Sequence, residues 1–400
     1  MTKGIDRTIL IVLDSLGTGP LPDADFSERD CNTLAHVHDS REEGLYIPNL
    51  EKMGIGNLVF MRTVERPNDT SGFYGKVNFR STGKDSISGH LEMAGLTYVD
   101  VFSASFEKLP DELLEKIKEK TQLEFIVSSK EETEAAIYEY ADEHKKSGNP
   151  ILHVTEDSSL LLIAHEEKIE IEKQNEICKS ILPLASEYKF ASITSLPFSG
   201  TQEEYKISKN RKIFPSISTK NTLLHHLIEK EIPVYAVGKI QQIFSPKTIT
   251  EFKPAENNIE AIEKIIEFIV KGVRNEAGYS FIFANLSEFD DHAHKRNPEN
   301  YATALENFDI LLPKIFRSMG ERDILIITSD HGNDPTFSGS GHTREYAPLL
   351  VYSPLLKPKG HGDLGVRKTA SDIAQTISDI YDLQTSYSAE SFWDELVVLV

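Results

Sequence analysis

Seven short apolar runs recur along the chain, at 7–13, 150–155, 190–194, 232–237, 279–286, 323–328 and 347–352. Between them lie segments of helical periodicity, at 110–121, 131–146, 169–185, 219–230, 257–271, 299–318 and 368–382. Continuous apolar strands alternating with helices restrict the fold to α/β, with a mostly parallel sheet and helices on both faces. In the last helix Ile373, Ile377 and Ile380 mark one face, and Thr369 to Asp372 has the spacing of a capping box.

Four hundred residues exceed what one simple core organises, so two domains are expected. The stretch 99–216 differs in texture: it is rich in Lys and Glu, with a Pro/Ser/Gly-punctuated patch at 196–218. The sequence predicts a smaller α/β cap here, contributing to substrate binding, inserted into a catalytic core made of 1–98 and 217–400. A net charge of −20, from 63 acidic and 43 basic residues, argues against a groove for nucleic acid or an anionic membrane surface. A small phosphorylated ligand stays compatible, because metal ions and a few lysines create a local positive site. No apolar segment reaches the ~18–20 residues of a membrane span, and the N-terminal run lacks the pattern of a signal peptide. Cys31 and Cys178 form neither a disulfide framework nor a CxxC motif. A cytoplasmic protein is expected.

The polar residues that follow the strands carry the chemistry. The run Ile324–Ile327 is followed by TSDHGNDPTFSGSGHTRE, so Asp330 and His331 stand just beyond a strand and His342 returns after a Gly/Ser-rich loop. Asp14 ends the first strand, and FANLSEFDDHAH places Asp290 and His294 four apart after another, on one face if the segment is helical. Asp291 and His292 are alternatives at that point. For a lone Asp-His pair a solvated loop is the simpler reading. Six such side chains at the carboxyl ends of one sheet favour mixed O/N ligation of Mn²⁺, Zn²⁺ or Fe²⁺. Two ions ~3.5–4 Å apart are the arrangement used for phosphoryl transfer. In GKDSISGHLEMAGL, Ser86 opens a helix whose free N–H groups favour an anion, and a nearby ion would activate its hydroxyl. Without the metal cluster, Asp85 or Ser86 reads merely as that helix's N-cap. His90 lies on the same helix and stays open between no role and support of a ligand, His225-His226 reads as a surface or interhelix pair, and Trp393 as core or packing against the sheet.

Over nearly its full length the chain resembles the alkaline phosphatase superfamily and, within it, the phosphopentomutases. The resemblance rests on IVLDSLGTGPLPDADF…NTLAHV (11–37), IPNLEKMGIGNL (47–58), GKDSISGHLEMAGL (83–96), TEDSSLLLIAHEE (155–167), VGKIQQIF (237–244), ALENFD (304–309) and the TSDHGNDPT…GHTREYAPLLVYSP block. It implies a core with an inserted cap and two Mn²⁺ ions. One ion would be held by Asp14, Asp330, His331 and the nucleophile Ser86, the other by Asp290, His294 and His342. Ser86 stands where the family has a threonine, and Ile87, Ser88 and Leu91 replace two threonines and a tryptophan. The spacing from Asp290 to His294 is one residue shorter than in typical phosphopentomutases and resembles that of cofactor-independent phosphoglycerate mutases. In the cap, Asp157 matches an aspartate that contacts the sugar. Ser192 and Lys206 stand where arginines grip the distal phosphate, Lys239 keeps its position, and Arg211 or Lys209 could compensate. Lysine and serine lack the bidentate fork of arginine, which points to altered substrate preference.

The activity so implied is a Mn²⁺-dependent phosphomutase interconverting the 1- and 5-phosphates of ribose, deoxyribose or a related sugar through phosphoserine. A sugar bisphosphate activator is a compatible further partner. Two alternatives share the sequence signals: a phosphohydrolase whose more open cap admits water, and an inactive sugar-phosphate-binding relative.

Overall fold

The computed structural model of the chain describes residues 3–98, 109–128, 133–155, 159–190, 192–216, 221–272, 278–339, 341–358 and 361–398. Its strands are β1 (Arg7–Leu13), β2 (Phe73–Val77), β3 (Ile126–Val127), β4 (Ile151–Val154), β5 (Ser159–His165), β6 (Ser192–Thr201), β7 (Glu204–Ile207), β8 (Lys212–Pro215), β9 (Val234–Val237), β10 (Glu251–Lys253), β11 (Ser280–Leu286), β12 (Asp323–Thr328), β13 (Ala347–Tyr352) and β14 (Asp363–Arg367). The chain divides into two compact units, one made of Met1–Val99 and Thr219–Val400, the other of Asp100–Ser218.

The first unit is built on an eight-stranded sheet in the order β10-β9-β11-β1-β12-β13-β2-β14. The ladders are parallel except those that β13 makes with β12 and β2, so β13 alone runs against the rest. β1 pairs with β11 on one side and β12 on the other, in register from Arg7 against Ser280 and Asp323. Their run of buried Ile, Leu, Val and Phe reflects a sheet covered on both faces. Ile9, Ile11, Ile282, Ala284, Leu325 and Ile327 pack with residues of the helices Asn258–Gly272 and Pro298–Ser318. The alternate residues point the other way, where Phe283 meets Phe244 and the imidazole of His90. On that face the Tyr381 hydroxyl donates to the Ser280 carbonyl, anchoring the helix Ser371–Tyr381. Each fully buried large apolar side chain contributes roughly 1.5–3 kcal/mol, so this two-sided core holds the strand ends rigidly.

The second unit has a sheet in the order β3-β4-β5-β6-β7, with β8 pairing β6. Here β4 runs antiparallel to β5, and β5 parallel to β6. One face packs on the helices Asp111–Thr121 and Ile171–Glu187, and the other on Thr133–Ser147.

All seven apolar runs form strands and the periodic segments form helices. The strands β2, β5, β7, β8, β10 and β14 are additional, as is the two-residue β3. The capping box at Thr369 is not made. The Thr369 hydroxyl donates instead to Glu92 Oε1 (2.6 Å), while the Asp372 carboxylate takes Arg367 Nε and the Glu390 amide. The Thr369 oxygen accepts the Ser371 amide (3.2 Å) rather than that of Asp372, which bonds the Thr369 carbonyl (3.1 Å), and the helix starts at Ser371 with no side-chain cap from Ala370. Among the described residues no helix is long and apolar enough to cross a membrane. Cys31, Cys178 and Trp393 are buried.

Candidate metal centre and nucleophile

Four neighbouring strands, β9, β11, β1 and β12, end at one side of the sheet, and each is soon followed by a charged or ligating residue. β1 leads into Asp14, β12 into Asp330 and His331, and β9 into Gly238 and Lys239. β11 leads into the helix Glu288–His294, which carries Asp290 and His294 on one face. The tight packing of this side shows at Gly238, whose φ is +77° and where a Cβ would lie 2.3 Å from the Asn285 carbonyl. Only glycine fits, and it lets Lys239 reach across β11 to Asp14.

Two groups of side chains converge. Asp14, Asp330 and His331, all buried, each offer one ligand atom within 4.8 Å of the others. Asp290, His294 and His342 form the second group on the same criterion. His294 Nε2 lies 3.0 Å from His342 Nε2 and 3.3 Å from Asp290 Oδ2. The His331 and His342 rings stack with centroids 3.9 Å apart, so the groups are adjacent. Asp291 is exposed, and His292 turns to Glu288 (3.6 Å), so neither joins a group.

Hydrogen bonds behind the ligands decide what they present. His342 Nδ1–H donates to the Lys84 carbonyl (2.8 Å) and His331 Nδ1–H to the Gly332 carbonyl (3.2 Å). A carbonyl can only accept, so in the neutral rings both Nε2 atoms carry lone pairs directed into the cluster, the tautomer a metal ligand needs. Asp14 Oδ2 accepts from Asn285 Nδ2 (2.9 Å) and Lys239 Nζ (2.7 Å), while Oδ1 is buried without a hydrogen bond. Asp330 Oδ1 accepts the Ser15 amide (3.1 Å), and its Oδ2 is likewise buried and unbonded. Ser15 is held at φ +73°, a left-handed turn that aims this amide. Asn333 Nδ2 donates to Asp290 Oδ1 (2.9 Å). Two buried carboxylate oxygens without donors, facing bare imidazole nitrogens, fit divalent cations: such oxygens are costly unless a cation satisfies them.

The protonation behaviour follows. Burial and the facing Asp330 carboxylate push the Asp14 carboxyl up to about 7, against the pull of Lys239. For Asp330 burial opposes ionisation, but His331 and His90 outweigh it and hold the carboxyl well below the usual range. Asp290 is likewise lowered, burial being outweighed by His342 and His294. Burial drives His331 down to about 4, so it is neutral at pH 7. Burial works against the Lys239 ammonium, but Asp14, Asp290 and Asp330 together raise it above the ordinary lysine value.

The helix Ser86–Met93 brings the hydroxyl. Asp85 caps it, accepting from the Ile87 and Ser88 amides (3.0 Å each), so Asp85 is the N-cap and Ser86 the first helical residue. Ser86 Oγ–H points at His331 Nε2 (3.2 Å). His90 Nδ1 lies 2.7 Å from the Ser86 carbonyl and 3.3 Å from Asp330 Oδ2, tying nucleophile helix to ligand. The Ile87 and Ser88 amides that the sequence left free for an anion are thus taken by Asp85, and Ser86 stands beside the first group, where bound cations would stabilise phosphoryl oxygens.

Of the remaining sequence candidates, all but Lys239 belong to the second unit. Lys206, on β7 of the second unit, is exposed and paired with Glu204 (3.1 Å), and Arg211 is exposed just before β8. Ser192 is 1% exposed, with its hydroxyl 3.1 Å from that of Ser159. Asp157 lies outside the described residues. Lys239 belongs with the metal ligands, 3.7 Å from Asp290 Oδ2 as well. Sequence reading missed Asn285, Asn333 and the bond from the Ser15 amide to Asp330. An Asn inside the apolar strand FANL was the one available signal.

An α/β sheet with paired carboxylate–imidazole groups beyond its central strands defines a metalloenzyme of the alkaline-phosphatase type, and residues 6–385 match the family model of the metalloenzyme superfamily. A phosphopentomutase of Caldanaerobacter subterraneus subsp. tengcongensis is 38% identical over 402 residues, covering 99% of each chain. A phosphopentomutase of Alkaliphilus oremlandii is 36% identical over 396 residues, covering 98% of this chain and 100% of that protein. The chain belongs to the phosphopentomutase family of this superfamily. Among solved structures, phosphoglycerate mutase of Leishmania mexicana shares the fold with a TM-score of 0.52 at 12% identity, covering 97% of each chain. The PH0037 protein of Pyrococcus horikoshii does so at 0.50 and 15%, covering 96% of this chain and all of that one.

Proposed function

We propose that the chain is a metal-dependent phosphomutase that interconverts the 1-phosphate and 5-phosphate of ribose, deoxyribose or a closely related sugar. The observation that carries this reading is Ser86 Oγ, 3.2 Å from His331 Nε2 at the start of a helix, beside two groups of ligating side chains. Asp14, Asp330, His331 and Ser86 would hold one ion, and Asp290, His294 and His342 the other. Mn²⁺ suits the mixed carboxylate and imidazole set. When bound, the ions would supply the positive charge that activates the serine oxygen and neutralises the transferring phosphoryl group.

The protein's own groups do the rest. Ser86 rests as phosphoserine, its phosphoryl group beside the Asp14, Asp330 and His331 side chains. A free hydroxyl of the sugar monophosphate attacks that phosphorus, the bond to Ser86 Oγ breaks, and a bound bisphosphate forms. After the sugar turns over, Ser86 Oγ attacks its other phosphate and the bond from that phosphorus to the sugar oxygen breaks. The proton released from the first hydroxyl is balanced by the one taken up by the second. Asp330 and Asp14 stay oriented through Ser15, Asn285 and His90, so the serine is not reorganised between the half-reactions. The second unit, Asp100–Ser218, serves in this reading as the cap that contributes Asp157, Lys206 and Arg211 to sugar phosphate binding and excludes water.

The test is to incubate the Mn²⁺-loaded protein with ribose 5-phosphate and measure ribose 1-phosphate against inorganic phosphate. Isomer without stoichiometric free phosphate, lost in Ser86→Ala together with the phosphorylated protein, is the expected result. Free phosphate with no isomer would make the chain a phosphohydrolase. Full turnover by Ser86→Ala would remove the serine from the mechanism.

A further inference from the structure

We propose that Arg296 is a positioning residue for the Asp290–His294–His342 group, clamping the loop that returns His342 to its partners. The helix Glu288–His294 closes at Lys295, and Arg296 follows in a left-handed conformation, φ +48°, its amide donating to the Ala293 carbonyl (2.9 Å). That conformation is costly for a residue with a Cβ, and here it turns the guanidinium onto the loop after His331.

The guanidinium then makes a set of bonds along that loop. Nη1 donates to Asn333 Oδ1 (2.9 Å), to the Asp334 carbonyl (3.0 Å) and to its own helix end at the Ala293 carbonyl (3.4 Å). Nη2 donates to the Gly341 carbonyl (3.3 Å) and to that of Gly339. Gly341 immediately precedes His342. This loop is rich in Gly and Ser, with little intrinsic preference for one path, so a fork of donors fixing its carbonyls decides where His342 returns. The base of the loop is closed separately by the bridge between Gly332 and Thr343.

The same side chain orients Asp290. Because Asn333 Oδ1 accepts from the guanidinium, its amide nitrogen must face the other way, where it donates to Asp290 Oδ1 (2.9 Å). A flipped amide would set its NH₂ against the guanidinium and its oxygen against the carboxylate, losing both bonds. Arg296 therefore acts on Asp290 through Asn333, on His342 through the loop, and on the helix end that carries His294. It touches no reacting atom; its effect is on the geometry of one ion's ligands.

This inference rests on the two-ion reading, and the test separates the two. The full-length metal-free protein is titrated calorimetrically with Mn²⁺ alone, as wild type, His294→Ala, Arg296→Gly and Arg296→Lys. Glycine accepts the left-handed backbone, so Arg296→Gly removes the guanidinium without adding backbone strain. Wild type is expected to bind two ions, and His294→Ala to lose one. Arg296→Gly should weaken that same ion by about tenfold to a hundredfold, with the other changed by less than about threefold. Thermal midpoints should stay close to wild type. Arg296→Lys should not restore binding, whereas low, non-denaturing guanidinium added to Arg296→Gly should. Unchanged affinity for both ions in Arg296→Gly, or equal weakening of both with a large fall in melting temperature, would overturn the positioning role. If wild type binds fewer than two ions, the two-ion reading fails and this inference fails with it.

Discussion

The Lys239 ammonium lies 2.7 Å from Asp14 Oδ2 and 3.7 Å from Asp290 Oδ2, one cation shared by a carboxylate from each ligand group. Neither Asp14 nor Asp290 is open to solvent; Lys239 is the chief counter-charge of Asp14, whereas Asp290 leans first on His342 and His294. Lys239→Met should therefore destabilise the metal-free chain by about 3 kcal/mol, the cost of leaving the buried Asp14 carboxylate without its cation. Added Mn²⁺ should recover most of that loss, because the ions supply the missing charge. Thermal unfolding of both proteins with and without the ion checks this; an identical deficit under both conditions would separate Lys239 from the metal groups.

Metal binding at the first group should release a proton. Asp14 titrates at about 7 in the folded chain against an ordinary 3.8, so between these values the folded state holds the extra proton and stability falls as pH rises. His331 titrates at about 4 against an ordinary 6.5, so over that window the unfolded state holds the extra proton and stability rises. The two slopes cancel from about 4 to 6.5, leaving their joint contribution to folding nearly flat there. An ion, however, must displace the Asp14 proton while His331 is already neutral. In His294→Ala, which keeps the first group intact, apparent Mn²⁺ affinity should climb about tenfold per pH unit below about 7 and level off above it. Calorimetry in buffers of different ionisation enthalpy reads the released proton directly. A pH-independent affinity across that range would contradict it.

The nucleophile helix sits against the Asp330 loop with no room to spare. A Cβ at Gly89 would come 2.1 Å from the Asp330 carbonyl oxygen, and backbone cannot yield cheaply there. Gly89→Ala should cost about 1–3 kcal/mol in folding stability. Turnover should fall by about a hundredfold, because pushing the helix away moves Ser86 Oγ off its position beside His331. The comparison to make is unfolding in urea against turnover at saturating metal. Wild-type turnover in a folded variant would show that the helix position is not limiting.

Restoring an arginine at position 192 should not improve sugar phosphate binding. Ser192 is buried in the second unit, its hydroxyl 3.1 Å from that of Ser159 at the paired starts of β5 and β6. Ser192→Arg would force a long cation into that packed spot, lowering stability by about 3 kcal/mol or more. Differential scanning calorimetry and substrate titration decide it; a fully stable variant with tighter binding would mean the position opens toward ligand.

Removing the Asp85 carboxylate deletes the cap of the nucleophile helix, where it accepts two amides and the Ser88 hydroxyl (2.7 Å). Asp85→Ala should cost about 1 kcal/mol of stability, and Asp85→Asn less. Urea unfolding of both variants measures the pair. Equal losses would show that an accepting side chain at this position is not what the helix start depends on.

The sequence by itself determined which segments become strands and helices of the first sheet, because β1, β11, β12 and β13 are buried on both faces and so read as unbroken apolar runs. It marked Asp14, Asp290, His294, Asp330 and His331 because charged and imidazole side chains soon after such runs stand out, and His342 as the histidine returning after a Gly/Ser-rich loop. The strands β2 and β14 were not legible, since FYGKV and DLGVR carry Gly and charge and are strands through the ladders that β2 makes with β13 and β14. β5 was overlooked although SLLLIAH is an unbroken apolar run, because it follows β4 closely. Tertiary structure alone decided what surrounds each ligand. That Lys239 lies beside Asp14, that Asn333 turns its amide to Asp290, and that Arg296 holds the loop before His342 are contacts between residues 37 to 225 positions apart or set by a single left-handed backbone. No local pattern encodes them, because a hydrogen bond across the strand ends of a folded sheet depends on strand order, and strand order is a property of the whole chain.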